Sequence, residues 1–270
     1  MNRPANYGKA APLRDMAAFD QENASAMRKL WFLGDVHGEF RHIGVALRQA
    51  EQAGNLPSWL ISLGDVELDT ILREILAPLR LEFPGVKVAF IHGNHDADTH
   101  ENWACLHDCA DAVALHGQVV ELVGIRVAGL GGNFMGRVWA PPSGPTFASK
   151  AQAMKRGPYA WRDGQQPSPK LHGAIYRDDV AALAKQRADI LVTHEAPSCH
   201  PYGWETLDQL ARDMRVVRTF HGHTHDDLSE QYAMQRDQLG FDARAVNFCC
   251  IKNGLGEFIS GPPPEKASWS

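Results

Sequence analysis

Five short stretches of the chain contain Asp, His or Asn, which are residue types that bind divalent metal ions. The stretches are GDVHG at 34–38, GDVE at 64–67, GNHD at 93–96, TH at 193–194 and GHTH at 222–225. Neutral imidazole and carboxylate oxygen are ligands of first-row divalent metals, and enough of them recur here for two ions. Glycine beside the polar residues allows a tight turn and a close approach of the backbone to an ion. The pattern therefore predicts a site for two metal ions.

Each of these stretches follows an apolar run that is typical of a buried β-strand. The runs are LWFL, SWLISL, VKVAFI, DILV and VVRTF. Helical patterns after the first two runs predict a βαβαβ opening, which means a parallel sheet with helices on its faces. In open α/β sheets, ligands gather at the carboxyl ends of the strands. Since most of the chain separates the first stretch from the last, one α/β domain must bring them together.

The five stretches, in this order, closely resemble the calcineurin-like metallophosphoesterase family, whose pattern is D-x-H, G-D, G-N-H-[DE], H and G-H-x-H. The resemblance covers about residues 30–225. It implies a four-layer αββα sandwich, in which two mixed β-sheets lie face to face and are flanked by helices. It also implies a hydrolase that cleaves phosphate esters through a dinuclear metal site and a metal-activated water.

The resemblance also assigns roles to eight residues of this sequence. The first metal ion takes Asp35, His37 and His225, the second takes Asn94, His194 and His223, and Asp65 bridges both. His95 matches the family's histidine that binds no metal and assists the leaving group, either as a proton donor or only as a hydrogen-bond donor to phosphate. Mn²⁺ is the expected metal, with Fe or Zn next, because mixed imidazole and oxygen ligation suits all three.

The chain departs from the Ser/Thr phosphatase branch of the family at the second and third stretches. GDVELDT lacks the arginine of that branch, and Leu68 stands where a carboxylate is expected. Glu67, Asp69 and Asp96 are the nearby carboxylates, and the sequence does not decide which of them orients His95. These differences weaken the interpretation as a eukaryotic-type protein phosphatase, but the more general phosphoesterase prediction stands.

The predicted function is that of a phosphomonoesterase acting on a small anionic phosphorylated substrate or a phosphoprotein. One alternative is a phosphodiesterase acting on nucleotides or nucleic-acid ends, for which aromatic side chains would stack on a base. A second alternative is a metal-binding scaffold of the same fold without catalysis, which the intact set of matching positions opposes. The net charge of −5 does not favour binding to long nucleic acids, since such proteins are typically basic.

An insertion at 134–172 is the most distinctive region outside the five stretches. It holds six Lys or Arg residues against one acidic residue, together with five aromatic residues that include Trp139. A loop of this length is usually functional or disordered. Two interpretations stand, a solvated surface insertion and a lid whose cations and rings bind an anionic substrate. Arg137 and Arg162 are the predicted substrate-binding residues of such a lid.

The 270 residues are predicted to form a polar, loosely ordered N-terminal arm at 1–28, a single domain at 29–260 that contains the insertion, and a tail at 261–270. No apolar run is long enough to span a membrane, and the N-terminus lacks the apolar stretch of a signal peptide. Five cysteines without a secretion signal favour reduced thiols. The expected location is therefore the cytoplasm, with no membrane partner.

Overall fold

The computed structural model describes residues 14–156, 166–226 and 230–262 of the chain. Its strands, in chain order, are β1 Leu30–Leu33, β2 Trp59–Ser62, β3 Lys87–Phe90, β4 Ala112–Ala114, β5 Val119–Leu122, β6 Ile125–Leu130, β7 Ile190–Thr193, β8 Arg218–His221, β9 Asp242–Ala245, β10 Ile251–Asn253 and β11 Phe258–Ser260. They form a six-stranded sheet of order β11-β10-β1-β2-β3-β4 and a five-stranded sheet of order β5-β6-β7-β8-β9. Both sheets are mixed, because β10 pairs antiparallel with β1 and β11, and β5 pairs antiparallel with β6.

One helix precedes the first strand, and the others lie between successive strands. The helices are α1 Met16–Arg28, α2 Arg41–Gln52, α3 Leu72–Glu82, α4 His100–His107, α5 Lys150–Arg156, α6 Arg177–Leu183, α7 Glu205–Met214 and α8 Glu230–Arg236, with 3₁₀ turns at His95–Ala97 and Pro169–Leu171. The predicted βαβαβ opening is confirmed by β1, α2, β2, α3 and β3, whose strands pair in parallel.

The described residues form three hydrophobic cores, which separate four layers. Between the two sheets, Phe32 of β1 stacks on Phe220 of β8 with ring centroids 3.9 Å apart. On the outer face of the first sheet, α2 and α3 contribute buried residues such as Leu47 and Leu76. The outer face of the second sheet packs against α6 and α7, for example through Leu210. The predicted four-layer sandwich of two mixed sheets is therefore confirmed.

The N-terminal arm predicted at 1–28 differs in the structure, because its second half is the regular helix α1. The Asp15 side chain caps this helix by accepting a hydrogen bond from the N–H of Ala18. Phe19 and Met27 are buried in the core between the sheets. The expectation of a loose arm is thus corrected from Met16 onward, since two apolar side chains anchor the segment. Residues 1–13, and 263–270 of the tail, lie outside the described residues.

The described part of the insertion at 134–172 packs against the outer face of the second sheet. Phe134, Trp139 and Leu171 are buried in the same core as α6 and α7. Trp139 is 8% exposed and its ring contacts that of Phe134, with centroids 5.3 Å apart. The lid interpretation has the rings of the insertion bind substrate, but the Trp139 ring packs in this core instead and attaches the insertion to the domain.

Two further expectations concern membrane-spanning segments and the state of the cysteines. In the described parts of the chain, none of the helices combines the length and apolar character that crossing a bilayer would require. All five cysteines are free thiols, and each is buried. The thiols therefore pack as small apolar side chains in this structure.

Candidate metal centre

The seven residues predicted as metal ligands meet where β1, β2, β3, β7 and β8 end. Two groups each bring three ligand atoms within 4.8 Å of one another, with Asp35, His37 and His225 in the first and Asp65, His194 and His223 in the second. Asn94 joins the second group, since its Oδ1 lies 3.0 Å from Nε2 of His194. The two groups adjoin, because Nδ1 of His194 lies 4.0 Å from Oδ1 of Asp35. The arrangement is that of two adjacent ligand sets, as a dinuclear site requires.

The turns that carry these residues adopt backbone conformations that are rare outside glycine. His37, Asp65, His223 and His225 have φ angles of 42°, 47°, 61° and 56°. Such conformations cost roughly 1–3 kcal/mol each and cluster at functional sites. The turns hold one another, because the N–H of His37 donates to the Asp65 carbonyl at 3.0 Å and the N–H of His223 donates to the Asp35 carboxylate at 2.8 Å. The fold therefore fixes these turns in positions that aim their side chains at one point.

Two glycines allow the carboxylates to approach the neighbouring turns. A Cβ atom at Gly93 would lie 2.1 Å from Oδ1 of Asp65, and one at Gly222 would lie 2.2 Å from Oδ1 of Asp35. No side chain can be accommodated at these distances. The expected close approach of backbone at the motif glycines is confirmed, with a carboxylate as the group that approaches.

The donor atoms of the centre fit divalent metal ions. Oδ1 of Asp35 and Nε2 of His37 are buried and have no hydrogen-bond partner among the described residues, although buried polar atoms are nearly always paired. The Leu63 carbonyl lies 2.9 Å from Nδ1 of His194 and so accepts a hydrogen bond from it, which directs Nε2 toward Asp65 at 3.3 Å. A partner carbonyl of this kind is typical of metal-binding histidines. The mixture of imidazole, carboxylate and amide oxygen suits Mn, Fe or Zn.

His95 lies beside the two groups, and its ring centroid is 5.7 Å from that of His37. Its Nδ1 is 3.0 Å from Oδ2 of Asp98 and 3.3 Å from Oε1 of Glu67. Burial alone would lower the pKa of His95, but the hydrogen bond to Asp98 and the charges of Asp65, Asp98 and Glu67 outweigh burial and raise that pKa. Asp98 is therefore the first carboxylate that orients His95, and Glu67 is the second.

Asp98 was not among the three carboxylates that the sequence left open, and Asp96 has another role. The Asp96 side chain accepts hydrogen bonds from the N–H groups of Val66, Glu67 and Gly93 at 2.8–2.9 Å. Burial raises the pKa of Asp96 to about 6. Asp96 thus joins the second motif turn to the third instead of contacting the imidazole. Asp69, the remaining carboxylate of the three, is exposed.

Lys170 extends from the insertion to Asp98, the carboxylate that contacts His95. Its Nζ forms an ion pair with Asp98 and donates a hydrogen bond to the carbonyl of Asn94 at 3.1 Å. Lys170 is one of the six cations of the insertion, and no pattern in the sequence predicts its place at the centre. The sequence shows only that Lys170 lies two residues before the end of that basic segment.

The two arginines predicted to bind substrate both belong to the insertion. Arg137 is exposed and lies three residues after Phe134, whose N–H donates to Glu195 at 3.0 Å. Because Glu195 follows His194 directly, the start of the insertion is tied to the metal centre. Arg162 lies outside the described residues. Substrate binding by either arginine remains a prediction.

Comparison with known proteins gives a family model, a relative in sequence and a solved structure. A family model described as calcineurin-like phosphoesterase matches residues 28–227, which include all five motif stretches. A protein of Haemophilus influenzae, named only as an uncharacterized protein, is 34% identical over 220 residues that cover 79% of this chain and 92% of the relative. The crystal structure of TT1561 from Thermus thermophilus is 12% identical, covers 86% of this chain and 97% of its own, and superposes with a TM-score of 0.48.

Proposed function

Since this chain belongs to the calcineurin-like phosphoesterase family, we propose that it is a metal-dependent phosphomonoesterase. The observation that carries the proposal is the meeting of two ligand groups, around Asp35 and around Asp65, with His95 beside both. A binding scaffold would not require a further histidine, beyond the four in the two ligand groups, that is held by its own carboxylate. A small phosphorylated molecule or a phosphoprotein is the proposed substrate, and Mn²⁺ the proposed metal, with Fe or Zn next.

The seven ligand residues would hold the two ions, with the Asp65 carboxylate shared between them. When bound, divalent ions in such a site lower the pKa of water and neutralise charge on the phosphoryl oxygens. Asn94 differs from the carboxylate ligands because its amide oxygen is neutral. Another carboxylate at this position would add negative charge near an anionic substrate. The buried, unpaired Oδ1 of Asp35 is the clearest sign that the described residues alone do not satisfy this centre.

The protein's own contribution to bond cleavage is assigned to His95. Its Nδ1–H donates to Asp98, so that Nε2 is the ring atom left to give a proton to the departing alkoxide. Burial opposes protonation of His95, but the hydrogen bond to Asp98 and the neighbouring carboxylates outweigh burial and raise the pKa, which favours the protonated imidazole that this role requires. Lys170 holds the other oxygen of Asp98 and so fixes the carboxylate in its orientation.

The proposal is tested with the chelator-treated protein, with and without added Mn²⁺. We expect hydrolysis of 4-nitrophenyl phosphate to depend on the ion and to exceed hydrolysis of bis(4-nitrophenyl) phosphate. Asp65→Ala should abolish activity, and Asp69→Ala, which alters an exposed carboxylate in the same region, is the matched control. Faster cleavage of the diester would favour the phosphodiesterase alternative. Metal binding by wild type without hydrolysis of either ester would favour the non-catalytic scaffold.

A further inference from the structure

An apolar cavity of about 270 Å³ lies between α2, α3 and the outer face of the first sheet, apart from the metal ligands. Its wall is formed mainly by buried aliphatic and aromatic side chains, which include Ile43, Leu60, Leu76 and Phe90. An apolar cavity of roughly 150 Å³ is large enough to bind benzene, so this one has room for an aliphatic chain of about ten carbons.

One polar atom in this wall lacks a partner. Ser62, at the end of β2, lines the cavity and is 7% exposed, and its hydroxyl has no hydrogen-bond partner among the described residues. Leaving a buried hydroxyl unpaired is costly, which is why such groups are nearly always hydrogen-bonded in folded proteins. An unpaired hydroxyl in an otherwise apolar wall points to a ligand with an oxygen at its buried end.

The mouth of the cavity is charged. Arg41, Arg48 and Glu82 line it and are exposed. The Arg48 guanidinium donates two hydrogen bonds to the Glu82 carboxylate, at 2.6 and 2.9 Å, and so joins α2 to α3. The second guanidinium, of Arg41, leaves the mouth with one positive charge in excess. This charge complements an anionic head group at the surface.

Two residues keep the helices from filling this space. Gly44 of α2 lines the cavity without a side chain, and a Cβ atom there would meet only the Arg48 guanidinium, at 3.8–3.9 Å. Pro78 interrupts the hydrogen bonding within α3 and also lines the cavity. A larger residue at position 44 would therefore have room to enter the cavity without displacing backbone.

We propose that this cavity binds a medium-chain aliphatic carboxylate that carries a hydroxyl or keto oxygen at its far end. The carboxylate lies at Arg41 and Arg48, the chain fills the apolar wall, and the far oxygen pairs with the Ser62 hydroxyl. The proposal is independent of the proposed phosphoesterase function, because none of these residues is a metal ligand or contacts His95.

Calorimetric titration of the full-length protein with 10-hydroxydecanoate and with decanoate tests the proposal. We expect saturable binding of both, with 10-hydroxydecanoate about three- to tenfold tighter, the range for one net hydrogen bond. Ser62→Ala should remove that difference, and Arg41→Glu should weaken both ligands. Gly44→Leu should abolish binding while keeping the fold, since leucine favours a helix more than glycine does.

Three results would overturn the proposal. They are the absence of binding by wild type at millimolar ligand, unchanged binding by Gly44→Leu, and equal affinity for the two acids in wild type. Circular dichroism and the metal content of each variant serve as controls, because a correctly folded variant retains both. Hexadecanoate is the size control, and we expect it to bind more weakly than decanoate because the cavity is too small for its chain.

Discussion

Replacing Asp98 by Asn is expected to slow the hydrolysis of alkyl phosphates without removing the metal ions. The carboxylate lies 3.0 Å from Nδ1 of His95 and is itself held by Lys170. Asparagine keeps the size of the side chain but removes its charge, so the imidazole loses both a charge-assisted hydrogen bond and the stabilisation of its protonated form. The proposed proton donor would then be less often charged and less well oriented.

The magnitude follows from the geometry. A hydrogen bond to a charged group contributes about 1.5–3 kcal/mol, and about 1.4 kcal/mol corresponds to a tenfold change in rate. The side chains of His95 and Asp98 are 43% and 40% exposed, so solvent screens their interaction. Glu67, at 3.3 Å from the same nitrogen, offers a partial replacement. Because of both effects, we expect a loss in kcat near the lower end of the ~1.5–3 kcal/mol range, which corresponds to about tenfold.

The assay compares an alkyl phosphate with 4-nitrophenyl phosphate at saturating Mn²⁺. The aryl leaving group departs without a proton, so the loss in Asp98→Asn should be confined to the alkyl ester, and His95→Ala should show the same selectivity with a loss of roughly 10²–10⁴-fold. Lys170→Met is the companion variant, with a smaller loss expected because Lys170 reaches His95 only through Asp98; its metal content is measured as well, since Lys170 also contacts the Asn94 carbonyl. Equal losses on both esters, or a fall in metal content, would refute the positioning role.

Asp65→Ala should lose more bound metal by elemental analysis than alanine variants of the other ligands, because the resemblance assigns this carboxylate to both ions; full occupancy would contradict that assignment. Arg137→Ala should raise KM for an anionic substrate more at low salt than at high salt, with unchanged metal content, if the insertion attracts phosphate. Asp189→Asn should destabilise the fold at pH 7 by about 1–3 kcal/mol, since this buried carboxylate accepts hydrogen bonds from Arg14 and Arg126. Burial opposes ionisation of Asp189, but these hydrogen bonds outweigh it and lower its pKa. The stabilisation is therefore present above the unfolded pKa of about 3.9 and is lost as pH falls through the lower folded value, so urea unfolding of wild type and variant should converge only in acid.

The meeting of the predicted ligand residues could be foreseen from the sequence because each is encoded locally. An apolar strand, a glycine-containing turn and a polar residue occur together in short stretches, and parallel strands bring their carboxyl ends to one edge. The layers of the sandwich came from the family resemblance, and the strand pairing of the structure agrees with them. The helix at Met16–Arg28 was missed because only two of its side chains, Phe19 and Met27, are buried. So sparse an apolar pattern hardly differs from that of a polar arm.

The partners of His95 and the cavity between α2 and α3 were not predictable, because both depend on distances between segments that no local pattern encodes. Leu68 at the expected carboxylate position removed the family's signal, and the replacement, Asp98, follows His95 by one 3₁₀ turn that only the structure reveals. The unpaired hydroxyl of Ser62 is equally hidden, since a serine at the end of a strand looks ordinary until its neighbours are known to be apolar. Local sequence thus indicates which side chains meet at the predicted metal centre, whereas the packing of segments against one another determines which carboxylates contact His95 and which cavities form.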